Sequence, residues 1–157
     1  MLQPEDFTFN GLFLGLEIDA DKEPKYSTVE YRNHKTGLMS FRSQRIQVTI
    51  ESAKISGISS LFFRFLGREV GLYASQAEIQ DALGPPVRRR IDSLEVDARR
   101  AFYSRSTEIG TRENLIQWSY GEGLAVFFTN LDLYEGFQFR EHKFWSIAIG
   151  NIWLPPA

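Results

Sequence analysis

The segment from Ser75 to Pro86 constrains the fold most, because it contains the one helix signal with both a clear start and a clear end. Ser75 is a good N-cap, and Glu78 follows at the spacing of a capping box, in which each side chain bonds to the other residue's backbone amide. Gly84 suits the position just past a helix, where the backbone often needs a positive φ, and the prolines that follow stop the helix. The sequence therefore predicts a helix over about 75–84.

Short runs of alternating apolar and polar residues dominate the rest of the chain. Ile46, Val48 and Ile50 alternate with polar neighbours, which is typical of a strand with one face in water. Further strands are predicted at 28–32, 61–66, 116–120, 124–129, 137–140 and 144–149. Because Gly, Asn and Asp separate most of these runs, the sequence predicts a predominantly antiparallel sheet arranged as a meander.

Turn signals and the lack of linkers define the domain organisation. Asn10-Gly11, after an N-terminal strand pattern, is a strong signal for a hairpin turn. Ser56-Gly57 is expected to interrupt the strand pattern. No repeat, low-complexity tract or linker divides the 157 residues, so we expect one α+β domain over 1–157, with its helix packed on one face of the sheet.

Residues 87–114 allow two interpretations of their secondary structure. Ile91 and Leu94 belong to a series of apolar residues at helical spacing, which favours a second helix over about 91–102. The stretch 101–105 is equally suited to the start of a strand. The sequence leaves both interpretations open.

Arginine is the characteristic residue of this segment. Seven arginines fall in it: Arg88, Arg89, Arg90, Arg99, Arg100, Arg105 and Arg112. They fit a solvated helix with mixed charges, a phosphate or RNA patch, or a loop that presents arginine to a protein partner. An isoelectric point near 5.7 argues against nucleic acid. The candidate partner-binding residues are Arg88, Arg89, Arg90, Arg99 and Arg100.

Acidic residues are concentrated near the start of the chain. Residues 1–31 carry a net charge of −5 and residues 32–74 carry +5. Either the two segments neutralise one another as neighbours, or the first forms an acidic surface that attracts a basic partner. The candidates for such a surface are Glu17, Asp19, Asp21 and Glu23.

The acidic segment also resembles a calcium-binding loop. Asp19, Asp21 and Glu23 stand at positions one, three and five of an EF-hand pattern. Pro24 occupies the sixth position, where that loop needs glycine for its sharp turn. The flanking residues are typical of strands, whereas an EF-hand has a helix on each side. We therefore expect no metal site.

The residue types exclude several kinds of chemistry. The chain has no cysteine, which excludes disulfides, thiolate zinc sites and thiol catalysis. Its two histidines, His34 and His142, both stand among charged turn residues. The glycine loops of nucleotide-binding proteins and the serine elbow of hydrolases are also missing from the sequence. We therefore expect a protein that is not an enzyme, with no catalytic residue and no cofactor.

Two further features bear on location. The N-terminus carries acidic residues in place of the basic region of a signal peptide. No window approaches the run of about 18 apolar residues that a membrane span requires. We therefore expect a cytoplasmic protein with no membrane contact.

The order of elements over about 58–150 carries a resemblance. A strand is followed by a capped helix ending Leu83-Gly84-Pro85-Pro86, an aromatic strand with Trp118 and Tyr120, and a glycine hairpin into Leu124 to Phe128. This unit resembles the α+β folds of the β-lactamase-inhibitor-protein type. It is also similar to small cytoplasmic immunity proteins that neutralise bacterial polymorphic toxins. The resemblance implies a module that binds a cognate toxin without catalysis or a cofactor.

Two other functions stay open at this point. One is an RNA- or phosphate-binding protein that uses the arginines of 88–112, and the other is a structural subunit of a larger assembly. The sequence does not indicate an oligomeric state.

Overall fold

The computed structural model describes residues 2–18, 31–33, 38–41, 46–95, 112–132 and 138–150. Within these residues the chain has the α+β composition expected from its sequence, with eleven strands, one α-helix and a 3-10 turn at Pro4–Asp6. The strands are β1 (Phe7–Thr8), β2 (Tyr31–Asn33), β3 (Leu38–Phe41), β4 (Ile46–Glu51), β5 (Lys54–Ser60), β6 (Phe63–Phe65), β7 (Arg68–Val70), β8 (Arg88–Glu95), β9 (Arg112–Ser119), β10 (Leu124–Leu131) and β11 (Gln138–Gly150). The helix, α1, spans Gln76–Leu83.

The strands form two sheets, and every strand pair is antiparallel. The larger sheet has eight strands in the order β2-β3-β4-β5-β11-β10-β9-β8. It consists of two four-stranded meanders that join where β5 pairs with β11. The smaller sheet has the order β1-β6-β7. As a result, β11 is last in sequence but central in the sheet, whereas β8 lies at an edge.

The hydrophobic core lies on one face of the large sheet, which we call the inner face. Phe144 of β11 is fully buried there, and its ring meets the ring of Phe63 from the small sheet edge-on, at 5.5 Å between centroids. Ile79 and Leu83, the buried residues of α1, belong to the same core cluster. Such edge-to-face pairs and buried apolar area are the main stabilising contributions in a core of this kind.

The helix begins and ends where its local sequence predicts. The Ser75 hydroxyl accepts a hydrogen bond from the Glu78 amide at 3.1 Å, which is the N-cap contact. Gly84 ends the helix with φ 82° and ψ −177°, a backbone region essentially restricted to glycine, and its amide donates to the Gln80 carbonyl. The predicted helix is therefore confirmed.

The Asn10-Gly11 turn is confirmed as well. Asn10 has φ 51° and Gly11 has φ 85°, the pair of positive values that a type I′ turn requires. Phe9 and Leu12 on either side exchange two backbone hydrogen bonds of 2.9 and 3.0 Å. The turn is set by its own residues, whereas β1 is placed in the small sheet by its pairing with β6.

Of two predictions about the strands from 46 to 66, one is wrong and the other is confirmed in part. Ser56-Gly57 does not interrupt a strand but lies inside β5, and the turn falls earlier, at Ser52-Ala53. Gly150 of β11 lies so close to β5 that a β-carbon at position 150 would clash with the Ser56 carbonyl, so this pairing of β5 with β11 favours glycine at 150. The buried strand expected over 61–66 is shorter in the structure and spans only Phe63–Phe65.

The second helix considered over 91–102 is not formed in its first part. Residues 91–95 belong to β8, which pairs with β9 along its whole length, from Arg88 opposite Ser119 to Glu95 opposite Arg112. A paired neighbour satisfies the backbone of these residues, and this outweighs the helical spacing of Ile91 and Leu94. Residues 96–111 lie outside the described residues.

Candidate functional site

The candidate site lies on β8, the strand at one edge of the large sheet. β8 pairs with β9 on one side, and in the part of the chain that the structure describes no strand pairs with its other side. A strand at the edge of a sheet presents backbone amides and carbonyls that can bind another chain as an added strand. The start of β8 is therefore a position where binding is physically available.

Large apolar side chains are exposed at the start of this strand. Val87 exposes 81% of its surface and Ile91 exposes 71%. Between them stand Arg88, Arg89 and Arg90, all of which are exposed. Exposed apolar residues next to arginine form the type of surface that protein interfaces use. We call residues 87–91 the basic edge.

The three arginines of the basic edge divide between the two faces of the sheet. Arg89 is opposite the buried Trp118 of β9, which places it on the inner face. Arg88 and Arg90 alternate with it and therefore lie on the opposite face, which we call the outer face. Positive charge thus borders both faces of the sheet at this edge.

Contacts on the inner face hold Arg89 in place. Its guanidinium carbon lies 5.2 Å from the centroid of the Trp118 ring, which is a cation–π distance. Its Nη2 also donates to Oε1 of Gln80 on α1 at 3.5 Å. Arg89 therefore connects the helix to the sheet, while Arg88 and Arg90 are directed to the other side of the strand.

Tyr120 lies directly behind this contact and has a structural role. Its hydroxyl donates to the Gly84 carbonyl at 2.9 Å, which joins the end of α1 to the end of β9. Burial raises the pKa of Tyr120 to about 12, and the positive charge of Arg89 opposes that rise. A phenol with this pKa keeps its proton at neutral pH, so Tyr120 is a hydrogen-bond donor and not a general base.

The structure brings together only some of the residues that the sequence nominated. Arg88, Arg89 and Arg90 stand side by side on β8. Glu17 is exposed, and its backbone forms an isolated antiparallel β-bridge with Lys54. The other nominated residues, Asp19, Asp21, Glu23, Arg99 and Arg100, lie outside the described residues, so the acidic surface stays a prediction.

Sequence reasoning missed the apolar part of the basic edge. The sequence pattern favours Ile91 in the apolar stripe of a possible second helix and gives no signal at Val87. Three consecutive arginines could have indicated the exposure, because alternation along a strand places them on both faces, and both faces must then reach solvent. The apolar neighbours of such a run are expected to be exposed with it.

A separate polar contact, away from β8, lies just after the end of β10. Asp132 is buried, and the Tyr73 hydroxyl donates to its Oδ1 at 3.4 Å. The Tyr73 ring meets Phe139 edge-on at 4.9 Å between centroids. Within the described residues no group of three His, Cys, Asp or Glu side chains is placed to hold a metal ion.

Comparison with known proteins adds no relative to this description. No protein-family model matches the chain, and no curated protein or solved structure matches it either. None of the helical residues described here forms a segment long and apolar enough to cross a membrane.

Proposed function

We propose that this chain is a non-catalytic protein-binding module whose partner contacts the basic edge. The observation that carries this proposal is the exposure of Val87 and Ile91 beside three arginines on an edge strand. A few side chains supply most of the binding free energy in protein interfaces, and arginine is enriched among them. Val87 and Ile91 contribute little to the core, so they are available for contact with a partner.

The partner that we propose is a cognate bacterial toxin, and the chain is then a cytoplasmic immunity protein. This finer proposal rests on the resemblance of the helix, the Leu83-Gly84-Pro85-Pro86 segment and the Trp118 strand to proteins of that kind. An inhibitor needs only to cover its target, which fits a chain whose sequence has no catalytic motif. An interface of standard size would bury about 800 Å² on each partner.

The charge of the basic edge selects the kind of surface that it meets. Arg88 on the outer face would attract an acidic region of the partner, which raises the association rate at low salt. Arg89 is engaged with Trp118 and Gln80, so it would orient the edge and contribute less to the contact.

Affinity capture from the source cell tests the proposal. The tagged wild type is compared with Arg88→Glu and with Arg140→Glu, a matched charge reversal at an exposed position on β11. We expect the wild type and Arg140→Glu to retain one protein in equimolar amount. Arg88→Glu should retain about tenfold less or lower still, because an opposing charge is introduced at the contact.

The captured material decides between the proposed functions. If the gene of the retained protein is toxic when expressed alone, and this chain restores growth, the immunity proposal is supported. If all three proteins retain the partner equally, the basic edge is not the contact. If the retained material is nucleic acid that salt releases, the protein-binding proposal is wrong, because counterion release marks phosphate contacts.

A further inference from the structure

The sequence of β8 has opposite charges in its two halves. Arg88, Arg89 and Arg90 begin the strand, Ile91 stands near its centre, and Asp92 and Glu95 follow. Such a strand can be complementary to a second copy of itself that runs antiparallel, because a basic residue of one copy can then lie opposite an acidic residue of the other. Opposite charges across neighbouring strands stabilise a pair, and like charges destabilise it.

Strand geometry restricts how two copies could pair. Residues directly opposite each other in an antiparallel pair lie on the same face of the sheet. A two-fold axis perpendicular to the sheet must therefore lie midway between a residue of β8 and the same residue of the second copy. We name each possible axis after that residue. An axis at Arg90 would place two arginines opposite each other, and an axis at Asp92 would place two aspartates opposite each other.

An axis at Ile91 avoids both repulsions. Ile91 then lies opposite Ile91 of the second copy. Arg90 of each copy lies opposite Asp92 of the other, so each dimer has two such pairs. Ile91 is on the inner face and exposes 71% of its surface in a single chain, so pairing would cover an apolar side chain that is otherwise in water.

We propose that two copies of this chain pair antiparallel through β8 about a two-fold axis at Ile91, which joins their large sheets into one continuous sheet. The interface is isologous, because the same strand of each copy contributes to it. It also gives hydrogen-bond partners to an edge that none of the described strands pairs with.

This dimer goes beyond the proposed function, and it covers Ile91, one of the two apolar side chains that the proposed function assigns to the partner, so a partner and a second copy would compete for Ile91. Edge pairing uses backbone groups in the plane of the sheet, whereas Arg88 projects from the outer face, which edge pairing leaves open. Arg88 lies opposite Leu94 in this register, so reversal of its charge does not place like charges against each other. The partner and the dimer can therefore be tested by separate substitutions.

Analytical ultracentrifugation over a wide concentration range tests the dimer. We expect the wild type to dimerise, and we expect Arg90→Asp and Asp92→Arg each to raise the dissociation constant about tenfold or more, because each creates two like-charge pairs. Arg140→Asp makes the same change of charge away from β8 and should leave the constant within about threefold of the wild type.

The register predicts a further result when the two single variants are mixed. In a mixed dimer every acid at position 90 or 92 lies opposite an arginine, so Arg90→Asp and Asp92→Arg should dimerise with each other more tightly than either does alone. The double variant R90D/D92R should recover dimerisation for the same reason. Circular dichroism of each variant checks that it is folded before mixing.

Three results would overturn the proposal. The wild type could be a monomer at every concentration, the single variants could dimerise as well as the wild type, or the mixture could stay monomeric. Failure of the dimer leaves Arg88→Glu as an independent test of partner binding.

Discussion

Two ends of one row of side chains show how differently the large sheet is used. Ile91, Ile116, Phe128 and Phe144 lie opposite one another across β8, β9, β10 and β11 on the inner face. Phe128 and Phe144 are fully buried, Ile116 is partly buried, and Ile91 exposes 71% of its surface. Along this row the core therefore covers the middle of the sheet and ends before Ile91.

The difference teaches that the apolar residues of one face need not share one role. Removing apolar area from water contributes roughly 25 cal/mol per Å², so Phe144 stabilises the fold while Ile91 contributes little to it. The exposed end of the row is thus available for binding without loss of stability. This separation underlies both proposals about β8.

Replacement of the side chain by alanine at each end of the row is the strongest test of this comparison. We expect Phe144→Ala to lower the free energy of unfolding by about 3–5 kcal/mol, because it opens a cavity next to Phe63. Ile91→Ala should change it by less than about 0.5 kcal/mol, as surface substitutions do. Urea unfolding of the two variants at a concentration that favours monomer measures both values. Similar losses at the two positions would contradict the comparison.

The N-cap of α1 gives the next largest effect. Ser75→Ala removes the hydrogen bond from the Glu78 amide and should cost about 1 kcal/mol of stability. Ser75→Asp is the matched control, because a carboxylate accepts the same bond and is favoured at a helix N-terminus. Thermal unfolding of the three proteins should rank the aspartate variant near the wild type. A loss in the aspartate variant as large as in the alanine variant would show that the cap is not the cause.

The hydrogen bond from Tyr120 joins the end of α1, which packs on the core, to the end of β9, which pairs with the basic edge. Tyr120→Phe removes the hydrogen bond to the Gly84 carbonyl and should cost about 1 kcal/mol or slightly less at pH 8. The pKa of Tyr120 is about 12 in the folded protein and 10.0 in the unfolded chain. Between pH 10 and pH 12 the unfolded chain therefore loses this proton while the folded protein keeps it. Stability of the wild type should therefore fall as the pH rises from 10 to 12.

The difference between the two proteins isolates this contribution from the other tyrosines. Because phenylalanine does not titrate, the advantage of the wild type over Tyr120→Phe should shrink as the pH rises above 10. Urea midpoints at pH 8 and pH 11 measure that advantage. A constant advantage would mean that Tyr120 titrates alike in both states.

Local turn chemistry explains why one hairpin could be predicted and another could not. Asn10-Gly11 adopts positive φ values that both residues accept readily. Ser52 and Ala53 adopt φ values of 51° and 60°, which their residue types do not favour. The Ala53 carbonyl accepts a hydrogen bond of 2.8 Å from the Ile18 amide, a contact made by a distant part of the chain. Such contacts override local preference and cannot be inferred from neighbouring residues.

The candidate site was predictable in part for a similar reason. The run of arginines at 88–90 is evident in the sequence, and its composition alone favours an exposed position. That these residues form a strand depends on β9, which supplies a partner position for each of them. The exposure of Ile91 depends in turn on where the core ends, which no local pattern records.

The sequence by itself determined the helix at Gln76–Leu83, the Asn10-Gly11 turn and the mostly antiparallel character of the sheet. The helix and the turn depend on contacts between residues a few positions apart, such as the bond between Ser75 and Glu78, and the antiparallel character follows from strand patterns separated by turn residues. Only the tertiary structure decided that β11 lies between β5 and β10 and that β8 lies at an edge. Strand order depends on pairing between residues that are far apart in sequence, so no local signal encodes which strand is left without a second neighbour.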